Sequence, residues 1–241
     1  KRGGNAVSSV LTMLGALCHR GTGKFDIVAS DFVWSAESLR QLERNADAVS
    51  PSAIGHLWND SATCDEGSLI GISNLKLIFE GSLFSRAKQD LTKLTGTGFQ
   101  QTKQILRESE GSYVLASQTG SKIVVGRDPN GVTPLYYGEN NEVCAVASER
   151  KALWTIGIIN AQSFPPGNVA VISQTGLHFT SAVASKQPVK KPISMHDAAR
   201  RLRMLLKKST QKRVSNVCMA SVAFSGGLDS SIIAVLARNC G

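Results

Sequence analysis

The chain has 241 residues, 42% hydrophobic and 19% charged, with 22 glycines, seven prolines and a formal net charge of +9. That size and balance exclude a disordered, collagen-like or low-complexity chain and leave room for one substantial core and part of a second. No apolar run approaches the roughly 18 residues of a membrane helix, and no signal peptide follows Lys1-Arg2-Gly3-Gly4, so the sequence reads as a cytosolic fragment.

Val7, Val10, Leu11, Leu14 and Leu17 share one face of a predicted helix from Asn5 to Leu17, with Gly21 placed as its C-cap. Short alternating runs then predict strands at Phe25–Ala29, Leu69–Ile72, Leu75–Phe79, Ser112–Ala116, Lys122–Val125, Val143–Ala147 and Val169–Ile172. Thr119-Gly120 and Asn140-Asn141 are the expected hairpin turns. Arg127 to Tyr137 reads as strand, turn and strand, with Asp128-Pro129-Asn130-Gly131 as the turn and a structural role for Arg127 and Asp128.

The positive charge is local. Between Lys186 and Arg213 stand ten basic residues and one acid, Asp197, with no Phe, Tyr or Trp among them. A nucleic-acid surface would interleave aromatic rings for stacking, so a solvated helix face next to a linker is the better reading. Ser185 to Pro192 has the two prolines and three lysines of that linker. Ser194 then caps a helix whose stripe of Ala198, Leu202, Leu205 and Leu206 is expected to pack on its own domain rather than on a membrane surface. Cys18, Cys64, Cys144, Cys218 and Cys240 are odd in number and widely spaced, which predicts reduced thiols and neither a disulfide framework nor a zinc site. Cys18 is read as a packed thiol.

Val217 to Phe224 is an apolar run of the length of a buried parallel strand, and it leads into Ser225-Gly226-Gly227-Leu228-Asp229-Ser230-Ser231 and then a helix-compatible stretch to Arg238. Two glycines let the backbone turn tightly and approach a ligand, while hydroxyls and the first N–H groups of the helix converge on one point. Such a point suits a phosphate or pyrophosphate, and Asp229 can help to hold a magnesium ion beside it. The Walker-type Gly-x-x-x-x-Gly-Lys pattern is absent.

Ser225 to Ser231 resembles the pyrophosphate-binding loop of N-type ATP pyrophosphatases, in the version found in glutamine-hydrolysing asparagine synthetases. Gly126 to Tyr137, Ala147 to Leu153 and Phe164-Pro165-Pro166-Gly167 are similar in order and spacing to the amidotransferase half of that family, and His19-Arg20-Gly21 and Phe79 to Phe84 resemble its earlier landmarks. The resemblance implies an α+β N-terminal-nucleophile-type αββα sandwich followed by the start of an α/β adenine-nucleotide-hydrolase-like domain. It divides the chain into an amidotransferase-like domain at 1–180, a linker at 181–194 and the start of a synthetase domain at 195–241. It implies an ATP-dependent ligase that joins aspartate to nitrogen from glutamine or ammonia, with ATP and Mg2+ required, no nucleic-acid or membrane partner, and room for a homodimer. ATP and pyrophosphate would bind Phe224, Ser225, Gly226, Gly227, Leu228, Asp229, Ser230 and Ser231, with Asp229 facing the metal and Gly81 touching glutamine. Phe224 has a second reading as a core side chain.

The family's nucleophile is an N-terminal cysteine, which Lys1 cannot replace, so its opening strand is expected upstream and no catalytic residue is assigned here. Gly55-His56-Leu57-Trp58 stands where the family has a glutamine-binding arginine, and Glu80-Gly81-Ser82 where it has Asn-Gly-Glu. The glutaminase site is therefore expected to be rebuilt or silent, and the fragment by itself to lack synthetase activity. Rival readings are a β-lactam-synthetase-like or other natural-product amide ligase, a catalytically silent binding module, and a tRNA-modifying pyrophosphatase, the last opposed by the long domain in front of the loop.

Overall fold

The structure, a computed structural model, describes residues 4–21, 23–44, 47–58, 68–72, 75–84, 97–183, 192–215 and 219–240, and of residues 68–76 the backbone alone. The chain divides into two units, Lys1–Ala184 and Ser185–Gly241.

The first unit opens with α1 (Ala6–Leu17) and a 3₁₀ turn (Cys18–Arg20), followed by β1 (Phe25–Ala29), β2 (Val33–Ala36), α2 (Leu39–Glu43) and β3 (Ala53–Leu57). Then come β4 (Ser68–Ile72), β5 (Leu75–Leu83), α3 (Gly98–Glu108), β6 (Gly111–Thr119), β7 (Lys122–Arg127), β8 (Tyr136–Glu139) and β9 (Cys144–Ala147). It closes with α4 (Arg150–Trp154), β10 (Gln162–Ser163), β11 (Asn168–Ser173) and β12 (Gly176–Ser181). All pairings are antiparallel and form a six-stranded sheet in the order β12-β11-β7-β6-β5-β4, and two three-stranded sheets, β2-β1-β3 and β10-β8-β9.

Alternation along the strands builds the layers. Leu115, Val124 and Val169 join Ile105 and Leu106 of α3 in one core, whereas Val114, Val125 and Ala170 join Leu135 and Phe164 in another, on the opposite face of the large sheet. Residues of α1 pack on β1 and β3 in a third core, and α1 and α4 meet β9 in a fourth. The result is helix, sheet, sheet, helix, the αββα order that the resemblance implies.

Every strand read from the sequence in this unit is found, several of them longer. β8 is the strand expected after the Asp128–Gly131 turn, and β2, β3, β10 and β12 and the helices α2, α3 and α4 come in addition. Gly21 is a C-cap as expected, of the 3₁₀ turn rather than of α1 itself, with its N–H donating to the Cys18 carbonyl. It is extended, with φ −164, and its place is fixed by a Cβ that would lie 2.3 Å from the Trp58 carbonyl oxygen. Both hairpin turns form: Gly120 is left-handed at φ +56, and the Asn140 side chain accepts from the N–H groups of Glu142 and Val143.

The Arg127 segment is a cinch. The guanidinium is buried and donates to the carbonyls of Thr133 (2.7 Å), Phe164 (2.6 Å) and Gly131 (2.7 Å) and to the Ser163 hydroxyl (3.2 Å). The fully buried Asp128 carboxylate accepts from the N–H groups of Asn130, Val132 and Thr133. Both residues are thereby spent on the turn.

A second buried carboxylate ties the small sheet together. Asp26, 1% exposed on β1, accepts from Ser35 on β2 and from the Trp58 indole just past β3, with His56 Nδ1 3.9 Å away. Burial alone would raise its pKa, but His56, Ser35 and Trp58 outweigh it and hold the carboxyl below its ordinary value.

In the second unit the described elements are α5 (Met195–Val214), capped by the Ser194 hydroxyl as expected, and α6 (Leu228–Arg238), which packs against α5. The expected strand is corrected: residues 219–224 are irregular, and Met219 and Phe224 are exposed. An apolar run becomes a strand only when a neighbour supplies hydrogen bonds, and among the described residues of this unit there is no strand. Leu202 and Leu205 are likewise exposed rather than packed, while Leu206 is half-buried and Thr210 buried. The expected linker lies outside the described residues save for Pro192.

Two outcomes follow for stability. Arg127→Met leaves three carbonyls without their donor and should cost about 3 kcal/mol, read as a lower urea midpoint. For Asp26 the unfolded carboxyl binds its proton first as pH falls. The stability it supplies is complete above its ordinary value of 3.8 and is lost as pH drops through the lower folded value. Urea midpoints measured down to about pH 2 should fall more steeply in the wild type than in Asp26→Asn.

Candidate functional site

Two places gather chemistry-bearing groups, one in each unit. In the first, the end of α1, β3, the middle of β5 and the segment between β9 and α4 enclose a cavity of about 280 Å³. Its polar lining is Arg20, His56, Glu80, Gly81, Thr133 and Ser148. Arg20 reaches it because the 3₁₀ turn carries the chain past the end of α1, and Glu80 because the β5 register puts it opposite Val114.

The charges in this cavity are already paired. Arg20 donates from Nη2 to Glu80 Oε1 (2.9 Å) and from Nη1 to Glu149 Oε1 (3.2 Å). The Ser148 hydroxyl donates to the other oxygen of Glu80 (3.2 Å). Glu149 also meets His19 Nε2 at 2.9 Å and Lys151 Nζ at 3.5 Å. Burial works against the Arg20 charge, but Glu80 and then Glu149 hold its pKa above the ordinary value. For Glu149, desolvation opposes ionisation, and Arg20 and His19 prevail and lower its pKa.

Gly81 lines this cavity. Its φ is +115 and an added Cβ would lie 2.1 Å from the Ser112 carbonyl oxygen, so only glycine fits. Phe84 N–H donates to Glu110, and counting back along the antiparallel register places the Gly81 N–H outside the ladder with β6.

The cavity continues into an apolar slot of about 170 Å³ that shares His56, Glu80 and Ser148 with it. β3 lines one side of the slot and β9 the other, with α1 and the large sheet supplying Val10, Leu14, Val114 and Val125. Each of these strands is the last in its sheet. The Trp58 N–H bond to Lys24 and the Asn140 N–H bond to Val143 fix which residues face outward: Gly55 and Leu57 on β3 and Val146 on β9 turn their backbone groups away from their own sheets.

In the second unit, Ser225 to Ser231 forms an exposed turn into α6. Gly226 is left-handed at φ +81 with nothing within 4 Å of where a Cβ would be. The Ser225 and Ser230 hydroxyls lie 3.1 Å apart, and those of Ser230 and Ser231 donate to the Gly227 carbonyl at 3.1 and 2.8 Å. The first-turn N–H groups of α6 therefore face a space that three hydroxyls rim. Asp229 is exposed in that first turn. Phe224, 64% exposed, is not a core side chain here, and Leu228 is exposed as well. Among the described residues no three His, Cys, Asp or Glu side chains come together as a metal site.

Sequence reasoning found Gly81 and the serine-glycine turn but not the joining of Arg20, Glu80 and Glu149. The His19-Arg20-Gly21 and Ser148-Glu149 landmarks were visible, yet nothing local says that a guanidinium will bridge carboxylates 60 and 129 residues away. Cys18, Cys144 and Cys240 are half-buried and form no disulfide among the described residues. Cys18 packs as expected, donating to the Leu14 carbonyl, and Cys64 and Cys218 lie outside the described residues.

Known proteins match this architecture. Residues 83–188 match the family described as the glutamine amidotransferase domain. A putative glutamine-hydrolysing asparagine synthetase of Methanocaldococcus jannaschii is 33% identical over 150 residues, covering 55% of this chain and 28% of that protein. A probable asparagine synthetase of Schizosaccharomyces pombe is 35% identical over 131 residues, 52% and 23% of the two chains. The amidophosphoribosyltransferase of Bacillus subtilis is 30% identical over 125 residues, 48% and 26%. The chain thus spans about a quarter of the length of these relatives. The solved glutamine phosphoribosylpyrophosphate amidotransferase from B. subtilis, complexed with ADP and GMP, superposes with a TM-score of 0.64 at 20% identity, covering 98% of this chain and 62% of that one. At that identity the likeness is one of fold. Residues 83–188 carry a glutamine amidotransferase domain, and about half of this chain is similar to part of the glutamine-hydrolysing asparagine synthetases.

Proposed function

We propose that the protein is an ATP-dependent amide-forming ligase of asparagine synthetase type, in which an amidotransferase-like domain precedes a domain that adenylates aspartate. The observation that carries this reading is the turn from Ser225 to Ser231. An open left-handed glycine, three hydroxyls and the N-terminus of α6 meet there, downstream of the amidotransferase domain.

The residues present fit a polyphosphate, because the space beside Gly226 is clear of protein atoms and the hydroxyls of Ser230 and Ser231 can turn to it from the Gly227 carbonyl. Magnesium would enter with the nucleotide, held mainly by phosphate oxygens and with Asp229 as a single protein ligand. The aspartate side-chain carboxylate would attack the α-phosphorus of ATP. Diphosphate would leave into the turn, stabilised by backbone N–H groups and the hydroxyls of Ser225, Ser230 and Ser231. Ammonia would then displace AMP from the acyl-adenylate. Exposed Phe224 would border the base.

The slot between β3 and β9 supports a further part of the reading. β3 runs from Ala53 towards Leu57, and the polar cavity lies at the Leu57 end. A strand laid antiparallel to β3 would therefore start at Arg20, Glu80 and Gly81, where the family resemblance puts its N-terminal nucleophile.

In the full-length protein, aspartate should elicit diphosphate from ATP. Gly226→Val or Asp229→Asn should lower that rate by about 100-fold without loss of folding, followed by a coupled diphosphate assay. Absence of diphosphate release with every amino-acid carboxylate offered would refute the ligase reading. Release with a carboxylate other than aspartate would favour the natural-product ligase instead.

A further inference from the structure

Glutamine reaches an enzyme as a zwitterion. Its α-carboxylate needs a cation, and its amide oxygen needs donors that can meet negative charge as the amide is attacked. The described lining of the cavity offers one cation, Arg20, and one anion, Glu80, bonded to each other at 2.9 Å. The second terminal nitrogen of Arg20 is held by Glu149 at 3.2 Å. The fork of the guanidinium is thus taken by two carboxylates, and a third could enter only by expelling one of them.

The neighbouring basic side chains are engaged in the same way. Lys151 and His19 both face Glu149, at 3.5 and 2.9 Å, and Lys151 Nζ also lies 3.1 Å from His19 Nδ1. The Ser148 hydroxyl is spent on Glu80. The Gly81 N–H lies on the cavity, yet the residue before it is the carboxylate Glu80, and negative charge growing on an amide oxygen there would be repelled.

We propose that Glu80 closes this cavity to glutamine, and that the protein draws its nitrogen from free ammonia. Glu80 is then the residue that sets nitrogen-donor specificity. This rests on the ligase reading for what the nitrogen meets. The ammonia lone pair forms the new C–N bond at the acyl carbon, the bond from that carbon to the phosphate oxygen breaks, AMP leaves with the electron pair, and the nitrogen releases a proton to solvent.

The test uses the full-length protein with ammonium chloride or L-glutamine as nitrogen source, measuring asparagine, and glutamate release with ATP omitted. Ammonium should support asparagine formation, and glutamine should be poorer by about 100-fold in kcat/KM. Calorimetry should detect L-glutamine binding at least about tenfold tighter in Glu80→Gln, which keeps the side-chain size and leaves Arg20 its bond to Glu149, than in the wild type. Glutamate release by the wild type as fast as it makes asparagine from ammonium would overturn the proposal, as would unchanged glutamine affinity in Glu80→Gln. Should that variant not fold, wild-type glutamate release decides alone. If neither nitrogen source yields asparagine and the wild type neither binds nor hydrolyses glutamine, the ligase reading falls while the closure of the cavity stands.

Discussion

One guanidinium shared by two carboxylates holds the working end of the first unit in place. Arg20 follows α1, Glu80 belongs to the six-stranded sheet, and Glu149 stands just before α4, so the two contacts tie two helices of one layer to the large sheet around one cavity. Hydrophobic burial brings these layers together but is indifferent to small slides between them. Two directional, charge-assisted bonds fix the relative position. The same bonds decide what the cavity can recognise, because a charge committed to architecture is withdrawn from ligand binding.

Arg127 and Asp128 illustrate the same economy. A buried arginine and a buried aspartate side by side invite a catalytic reading, yet the contacts of one run to three carbonyls and a hydroxyl and those of the other to three N–H groups of a single turn. The structural reading of the sequence was right here because Asp-Pro-Asn-Gly is itself a turn signal.

What could be read from the sequence was what local pattern determines. β6, β7 and β11 have apolar residues on both faces, one for α3 and one for the second sheet layer, and so appear as dense apolar runs. β2 and β3 did not stand out, because Ser35, Gly55 and His56 interrupt them and the Asp26 network that binds them spans three segments. α3 carried a signal that was passed over: the Thr97 hydroxyl and Gln100 form a reciprocal cap. The run before Ser225 shows the opposite failure, since apolar content alone cannot make a strand without a neighbouring one. At the site, the serine-glycine turn was visible as a local requirement for glycine, and Gly81 only through the family resemblance. The pairing of Arg20 with Glu80 and Glu149 was not, since it exists only after folding.

Trp58 sits at the joint of this arrangement. Its indole N–H is bonded to buried Asp26, its ring meets His56 edge-on with centroids 4.9 Å apart, and Lys24 lies 5.8 Å from its centre. Indole emission responds to nearby charge and to imidazole quenching, and His56 lines both the polar cavity and the apolar slot. Whatever enters there and displaces that imidazole also changes the light from Trp58, so the protein carries an intrinsic optical gauge of its own occupancy.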